Sequence, residues 1–378
     1  MRWLPVAGLL ALSLTPSPAH AQEVACAVPA RVEAPGADAD LTRLRRFATG
    51  EGVRVAVIDT GVAPHPEIAH LRPGRDFVAD DALQDCDNHG TAVAGIVAGR
   101  TLGIAPEAEI VSIRQTSAHT RGQDTDAGNL QTLTEAMHNA LDEGASVLNI
   151  SVVSCLEPEF AARIDASGIT AALERAEAQG AVVVAAAGNT GPDCEPGFDV
   201  FPARFPTVLA VAARADDHTI AEYSLPAELS APGLVPAALA PGGWAEGTLA
   251  NDGVRPYAGT SFAAPVVSGT AALLQSRYPG ISPAHVRALI TASAQPGGGA
   301  VDPLGALTQL TPQEVAERPA LQVQAVDREG NPAVSRLALL TGGAMALVAA
   351  VVSLRAGLSR SPSAPRRESV PRPPAAGR

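Results

Sequence analysis

Val57-Ile58-Asp59-Thr60-Gly61, His89-Gly90-Thr91 and Gly259-Thr260-Ser261-Phe262-Ala263-Ala264-Pro265 follow one another along the chain, and their order constrains its fold more than any other feature. Together they supply an aspartate, a histidine and a serine. A serine hydroxyl is a weak nucleophile at neutral pH and attacks a carbonyl only when a neighbouring imidazole removes its proton; His89 is the candidate base. The imidazole takes that proton productively in one tautomer, which a carboxylate on its other nitrogen fixes, and Asp59 is the candidate carboxylate. Unrelated folds carry these three groups in different chain orders, so the order Asp, His, Ser selects a fold as well as a chemistry.

Other readings of the same residues are weaker. Asp-Thr-Gly is the catalytic tripeptide of aspartic proteases, but that mechanism needs a second carboxylate to share a proton, and Asp59-Thr60-Gly61 is the only such tripeptide here. A plain turn aspartate is the other alternative. Ser261, ahead of an Ala-rich apolar run, reads as a helix N-cap, which is compatible with a nucleophile at a helix start. Ala263 stands where a Gly-x-Ser-x-Gly elbow needs its second glycine, which argues against an α/β-hydrolase. The chain has no lysine, so a Ser-x-x-Lys mechanism is excluded. With 39 acidic against 27 basic residues the net charge is −12, and no nucleic-acid partner is expected.

Apolar runs at 53–58, 110–113, 147–150, 182–186 and 208–212 alternate with helical segments at 90–98, 130–143, 169–179, 261–277 and 283–293. Ser282 and Pro283 form a cap and first position for the last of these. Such alternation predicts an α/β fold, a parallel sheet with helices on both faces. Neither a repeat nor a long low-complexity tract interrupts this core, and 378 residues with 46% apolar side chains permit one sizeable core plus accessory segments.

The accessory segments lie at the ends. Met1-Arg2, an apolar run over 3–14 and Ala19-His20-Ala21 read as a secretory signal peptide, residues 1–21, cleaved before Gln22. Residues 22–49 form an N-terminal extension, 50–310 the main domain and 311–336 a linker. Residues 337–354 are uncharged and mostly apolar between Arg336 and Arg355; as a helix they would extend about 27 Å, close to a bilayer's hydrocarbon thickness. The tail 355–378, read as disordered after Ser359, holds Arg355, Arg360, Arg366, Arg367, Arg372 and Arg378. The positive-inside rule puts it in the cytoplasm and the main domain outside a single-pass membrane anchor.

Cys26, Cys86, Cys155 and Cys194 all follow the signal peptide and would meet an oxidising exterior, where two disulfides are the default. Three pairings are possible. Cys26 with Cys86 and Cys155 with Cys194 is favoured, since the first would tie the extension beside His89 and the second would join two loops bordering the cleft. Cys86 and His89 have a metal-like C-x-x-H spacing, but no second pair completes a tetrahedral site. No carboxylate cluster can be assigned to calcium, so neither metal nor cofactor is expected. Asn149-Ile150-Ser151 matches a glycosylation sequon, taken as accidental in a core strand.

The three segments, in their order, resemble those of the subtilisin-like serine proteases, the subtilases. The likeness narrows to the mycosins, membrane-anchored subtilases of type VII secretion, on five features. These are Asp85-Cys86-Asp87-Asn88-His89-Gly90-Thr91; Asn149-Ile150-Ser151 with Cys155 after it; the four-cysteine layout; residues 259–269 running on to Arg277-Tyr278-Pro279; and Val301-Asp302-Pro303 with Ala306-Leu307-Thr308. The resemblance covers residues 38–310 and extends to the C-terminal apolar segment. It implies that Ser261 attacks a peptide carbonyl, and that Asn189, with the Ser261 backbone amide, binds the oxyanion. It also implies protein or peptide substrates and a type VII secretion membrane complex as partner. The short extension resembles that of the mycosins, which wraps the catalytic domain instead of plugging the cleft. Ser151-Val152-Val153 departs from the Ser-Leu-Gly-Gly edge of many subtilisins, and valines there would favour a small P1 side chain. A structural clamp and a free-standing surface protease are both compatible with the same three residues.

Overall fold

The computed structural model describes residues 25–119, 127–309 and 332–358. The expected signal peptide, the linker up to residue 331 and the tail beyond residue 358 lie outside the described residues. The chain divides into two units, Met1–Gln313 and Glu314–Arg378.

The first unit begins with strand β1 (Pro29–Val32) and helix α1 (Ala39–Leu44). Next come β2 (Arg54–Asp59), β3 (Leu71–Asp76), α2 (His89–Ala98), β4 (Glu109–Arg114), α3 (Leu130–Asp142) and β5 (Val147–Ile150). After β6 (Ser154–Leu156), α4 (Pro158–Ala161) and α5 (Ser167–Ala178) the chain forms β7 (Val182–Ala186), β8 (Asp199–Phe201), β9 (Val208–Arg214) and β10 (Leu229–Pro232). Four further strands, β11 (Leu234–Val235), β12 (Ala238–Ala240), β13 (Gly243–Ala250) and β14 (Gly253–Ala258), precede α6 (Thr260–Arg277), α7 (Pro283–Ser293) and α8 (Pro303–Thr308).

Seven strands make one sheet in the order β10-β9-β7-β5-β2-β4-β3, with every neighbouring pair parallel. A parallel sheet is stable only with both faces covered, and β2 shows how the sequence meets that demand. Val55 and Val57 join the core shared with α2, α6 and α7, whereas Ala56 and Ile58 join the opposite core shared with α3 and α5. Because both alternating sets are buried, the strand reads as an unbroken apolar run. The expected α/β architecture is present, with each of the five strands and five helices within two residues of its expected ends.

Two outer strands of the sheet were not foreseen. β3 reads Leu-Arg-Pro-Gly-Arg-Asp and has a register break between Pro73 and Asp76. Proline and glycine are tolerated there because an edge strand needs only one ladder. A second, antiparallel sheet in the order β1-β13-β14-β11, with β12 on β13, also went unread.

That second sheet explains the N-terminal extension. β1 pairs antiparallel with β13, and α1 is capped by Asp38, whose Oδ1 accepts from Asp40 N at 2.7 Å and Leu41 N at 3.0 Å. The Arg45 guanidinium donates to the carbonyls of Arg100 at 2.8 Å and Thr101 at 3.2 Å. Backbone polar groups that a loose leader would leave to water are thus paired with the domain.

The second unit contributes one helix, α9 (Pro332–Leu358). Within its 24-residue span Ala333–Ala356, an 18-residue window reaches mean hydropathy 2.2, and none of that window is buried. The span's length of about 36 Å exceeds a hydrocarbon core of about 30 Å. The expected segment 337–354 lies inside it; the helix runs further because its flanks hold ordinary helix formers behind an N-terminal proline.

Candidate active site

The strand order reverses on either side of β2, whose neighbours β4 and β5 lie later in the chain on opposite flanks. In open α/β sheets the crevice at the carboxyl ends of strands beside such a reversal is where ligands bind. Asp59 is the last residue of β2, Ser151 directly follows β5 and Asn189 lies three residues beyond β7. His89 opens α2 and Ser261 is the second residue of α6. The fold therefore gathers five sequence positions spread over two hundred residues at one edge.

Asp59 Oδ1 lies 2.6 Å from His89 Nδ1. The carboxylate is fully buried, and the imidazole keeps 27% of its side chain exposed. Asp59 Oδ1 also accepts the backbone amide of Thr60 at 2.7 Å, so the carboxylate is fixed before it orients the ring. Phe262 covers the imidazole with ring centroids 5.0 Å apart, and Tyr257 packs behind Phe262 at 5.6 Å. Burial pulls the imidazolium's pKa down. The charge and hydrogen bond of Asp59, with the charges of Asp85 and Asp87, outweigh that pull and hold it above the ordinary histidine value. Gly90 permits this close approach, since a Cβ there would sit 2.1 Å from the Gly61 carbonyl oxygen and 3.1 Å from Asp59 Oδ1.

Ser261 is in the first turn of α6 and is not its cap. Gly259 occupies the N-cap, without a side-chain hydrogen bond, and Thr260 begins the helix. The expectation of a serine cap fails because the polar contacts of Ser261 run to the end of β5: its Oγ donates to Ser151 O at 3.0 Å, and Ser151 Oγ donates to Ser261 O at 2.9 Å. The hydroxyl proton thus points at a carbonyl in this state, and transfer to His89 needs the hydroxyl to turn away from Ser151 O. Such catalytic hydrogen bonds commonly align only once substrate is bound.

Asn189 is held through its oxygen. Oδ1 accepts the Thr260 amide at 2.9 Å and the Thr260 hydroxyl at 3.2 Å, which fixes the amide orientation and leaves Nδ2 as the outward donor. Gly259, at φ 156°, makes room for it, because a Cβ would lie 3.2 Å from Asn189 Nδ2. The arrangement can abstract a proton from a serine and donate to a nearby developing oxyanion.

Both favoured disulfides are present, Cys26–Cys86 and Cys155–Cys194. Cys86 is thereby removed from metal ligation, and among the described residues no cluster of three or more His, Cys, Asp or Glu could hold an ion. Asn149 of the sequon is fully buried and bonded to Ser151 Oγ and Ser268 Oγ. Val152 and Val153 diverge: Val152 packs on the α3/α5 core, and only Val153 reaches the cluster of Cys155, Cys194, Val200 and Leu225.

One residue at the site escaped sequence reasoning. Asp85 is a second buried carboxylate, accepting from Thr60 Oγ1 at 2.9 Å, Asp87 N at 3.2 Å and Thr91 N at 2.8 Å. Burial pushes its pKa up to about 6 against those hydrogen bonds from Thr91 and Thr60, with help from the charge of Asp59. Its place four residues before His89 was the available signal.

The family model described as Subtilase family matches residues 50–329. Mycosin-4 of Mycobacterium tuberculosis is 35% identical over 93% of this chain and 88% of its own length. Mycosin-1 of the same organism is 38% identical over 69% of this chain and 68% of its own. Among solved structures, MycP1 from the ESX-1 type VII secretion system superposes with a TM-score of 0.70 at 33% identity, covering 78% of this chain and 92% of that one. A chain in an intact ESX-5 inner membrane complex matches at 0.66 and 30% identity, over 88% and 94%. The order of the three segments, the parallel sheet they sit on and relatives matched over most of both chains lead to one conclusion: the chain belongs to the subtilase family of serine endopeptidases, among the mycosins.

Proposed function

We propose that this endopeptidase works at the outer face of a cell membrane as a component of a type VII secretion assembly, cleaving a small set of secretion-related proteins and stabilising the membrane complex. The observation that carries the reading is the match to a chain of an intact ESX-5 inner membrane complex, covering 88% of this chain at 30% identity, beside the helix in this chain that is long and apolar enough to cross a membrane. Residues 1–21 serve as signal peptide, 22–49 as a strapped extension, 50–310 as the peptidase and 311–336 as a linker. Residues 337–354 cross the membrane once, with the basic tail 355–378 in the cytoplasm.

In the reaction Ser261 Oγ attacks the peptide carbonyl carbon while His89 Nε2 takes its proton. Asp59 holds Nδ1–H and stabilises the imidazolium, and Asn189 Nδ2 with the Ser261 amide binds the oxyanion. His89 then protonates the leaving amine, and water, activated by the same imidazole, releases the acyl group. Val153, packed against the Cys155–Cys194 cluster, is the side chain of this edge that favours a small P1 residue.

The test is the secreted protein profile of a deletion strain complemented with wild type or Ser261→Ala at equal membrane levels. Secretion lost on deletion and restored by wild type alone makes proteolysis essential. Restoration by both variants assigns the essential contribution to structure. Unchanged secretion on deletion refutes the secretion assignment and leaves a free-standing envelope protease.

A further inference from the structure

We propose that Asp85 is a positioning residue for the Asp59–His89 pair: its carboxylate captures the Thr60 hydroxyl proton, leaving Asp59 Oδ1 to His89, and its negative charge strengthens His89 as a base. This deepens the proposed triad and rests on it.

One hydrogen atom decides how the two carboxylates share Thr60. Thr60 Oγ1 lies 2.9 Å from Asp85 Oδ1 and 3.2 Å from Asp59 Oδ1, and it accepts the Gly90 amide at 3.0 Å. A hydroxyl donates once, so two carboxylates compete for its proton and the shorter contact goes to Asp85. Asp59 Oδ1 already receives the Thr60 amide and His89 Nδ1. A third donor would drain charge from that oxygen and weaken its hold on the imidazolium. An ionised Asp85 prevents this.

Asp85 also joins the two catalytic segments. Through Thr60 it holds the residue after Asp59, and through the Thr91 amide at 2.8 Å it holds the first turn of α2 behind His89. Thr91 Oγ1 in turn accepts the Ala63 amide at 3.0 Å, closing a ring between the β2 loop and α2. The charged and titratable groups around His89 are Asp59 at the end of β2 and Asp85 and Asp87 on the loop before α2. Across the site from β14, Tyr257 is exposed to the charge of Asp85 and, from β1, that of Arg31. The donors to Asp85 are backbone amides and the hydroxyls of Thr60 and Thr91, all of them neutral, so its charge remains available to the imidazolium.

The test is the rate of labelling by a fluorophosphonate as a function of pH, using the full chain in detergent, for wild type, Asp85→Asn and Ser261→Ala. Labelling requires neutral His89, so its acid limb reports the imidazole. Removing a negative charge destabilises the imidazolium, and the acid limb of Asp85→Asn should move to lower pH by about half a unit to one unit, with a slower plateau. An acid limb that stays in place overturns the proposal. Labelling of Ser261→Ala would instead overturn the triad itself. Should Asp85→Asn not fold, Thr60→Val and Thr60→Ser decide: the serine variant keeps the bridging hydroxyl and labels at near wild-type rate, the valine variant labels at least several-fold more slowly, and equal rates for the two overturn the proposal.

Discussion

Replacing Asp85 by asparagine should make the folded domain more stable at neutral pH. In the folded protein the Asp85 carboxyl keeps its proton up to about pH 6, against an ordinary value of 3.8. Between those values the folded state binds more protons than the unfolded state, so this group's contribution to stability falls as the pH rises. The difference of about 2.2 units corresponds to roughly 3 kcal/mol, lost by the time the buried carboxylate is ionised. Asparagine removes that penalty, but its amide offers a donor where one oxygen accepted, costing about 1–1.5 kcal/mol. The net gain at pH 7 is therefore about 1.5–2 kcal/mol, and near pH 4, where wild-type Asp85 is protonated when folded, the gain disappears. Denaturant unfolding of Asp85→Asn in a Ser261→Ala background at both pH values measures it without self-digestion. A loss of stability at pH 7, or the same difference at both pH values, refutes the reasoning. His89 adds a slope of the same sign higher up: its raised folded value stabilises fully below 6.5 and is lost as the pH passes through that value.

Asn189→Ala should lower turnover about 100-fold to 1000-fold with little change in KM; peptide hydrolysis reduced less than ten-fold would remove Asn189 from the oxyanion site. Cys26→Ala with Cys86→Ala opens a loop of 60 residues and should cost about 2–4 kcal/mol in denaturant unfolding; an unchanged midpoint would mean that β1 alone secures the extension. Val153→Gly should extend cleavage to larger P1 side chains in a peptide library, whereas Val152→Gly, facing the opposite core, should destabilise the domain without broadening specificity.

The sequence made the central sheet legible because its strands are buried on both faces and stand out as apolar runs. It concealed the strands whose pairing is long-range. β1, Pro-Ala-Arg-Val, and β13, Gly-Trp-Ala-Glu-Gly-Thr-Leu-Ala, carry little strand propensity and are defined by each other across the chain. The short motifs that carry Asp59, His89 and Ser261 were legible because each stands at the end or start of an element, where the fold brings them together. Asp85 sat inside one of those motifs and still went unassigned. What distinguishes it from exposed Asp81 or part-buried Asp87 is burial against Thr60 and Thr91, a property of the folded loop. The reading of Ser261 as a cap failed for a related reason: the contact that decided its orientation comes from Ser151, 110 residues away.

A protease lives among copies of itself, and loose chain ends are the cheapest substrates it meets. Here the early residues are stitched to late ones: Arg31 donates to Pro241 O across 210 residues, Ser276 to Glu51 O across 225 and Arg277 to Phe47 O across 230. Neither β1 nor the segment before β2 can peel away from the domain without breaking this seam. Cutting near the N-terminal strand thereby requires this seam to open first, and not simple fraying of the strand. The same seam delays completion of the fold until residue 277 has emerged, so the enzyme gains its cutting power and its resistance to being cut in a single step.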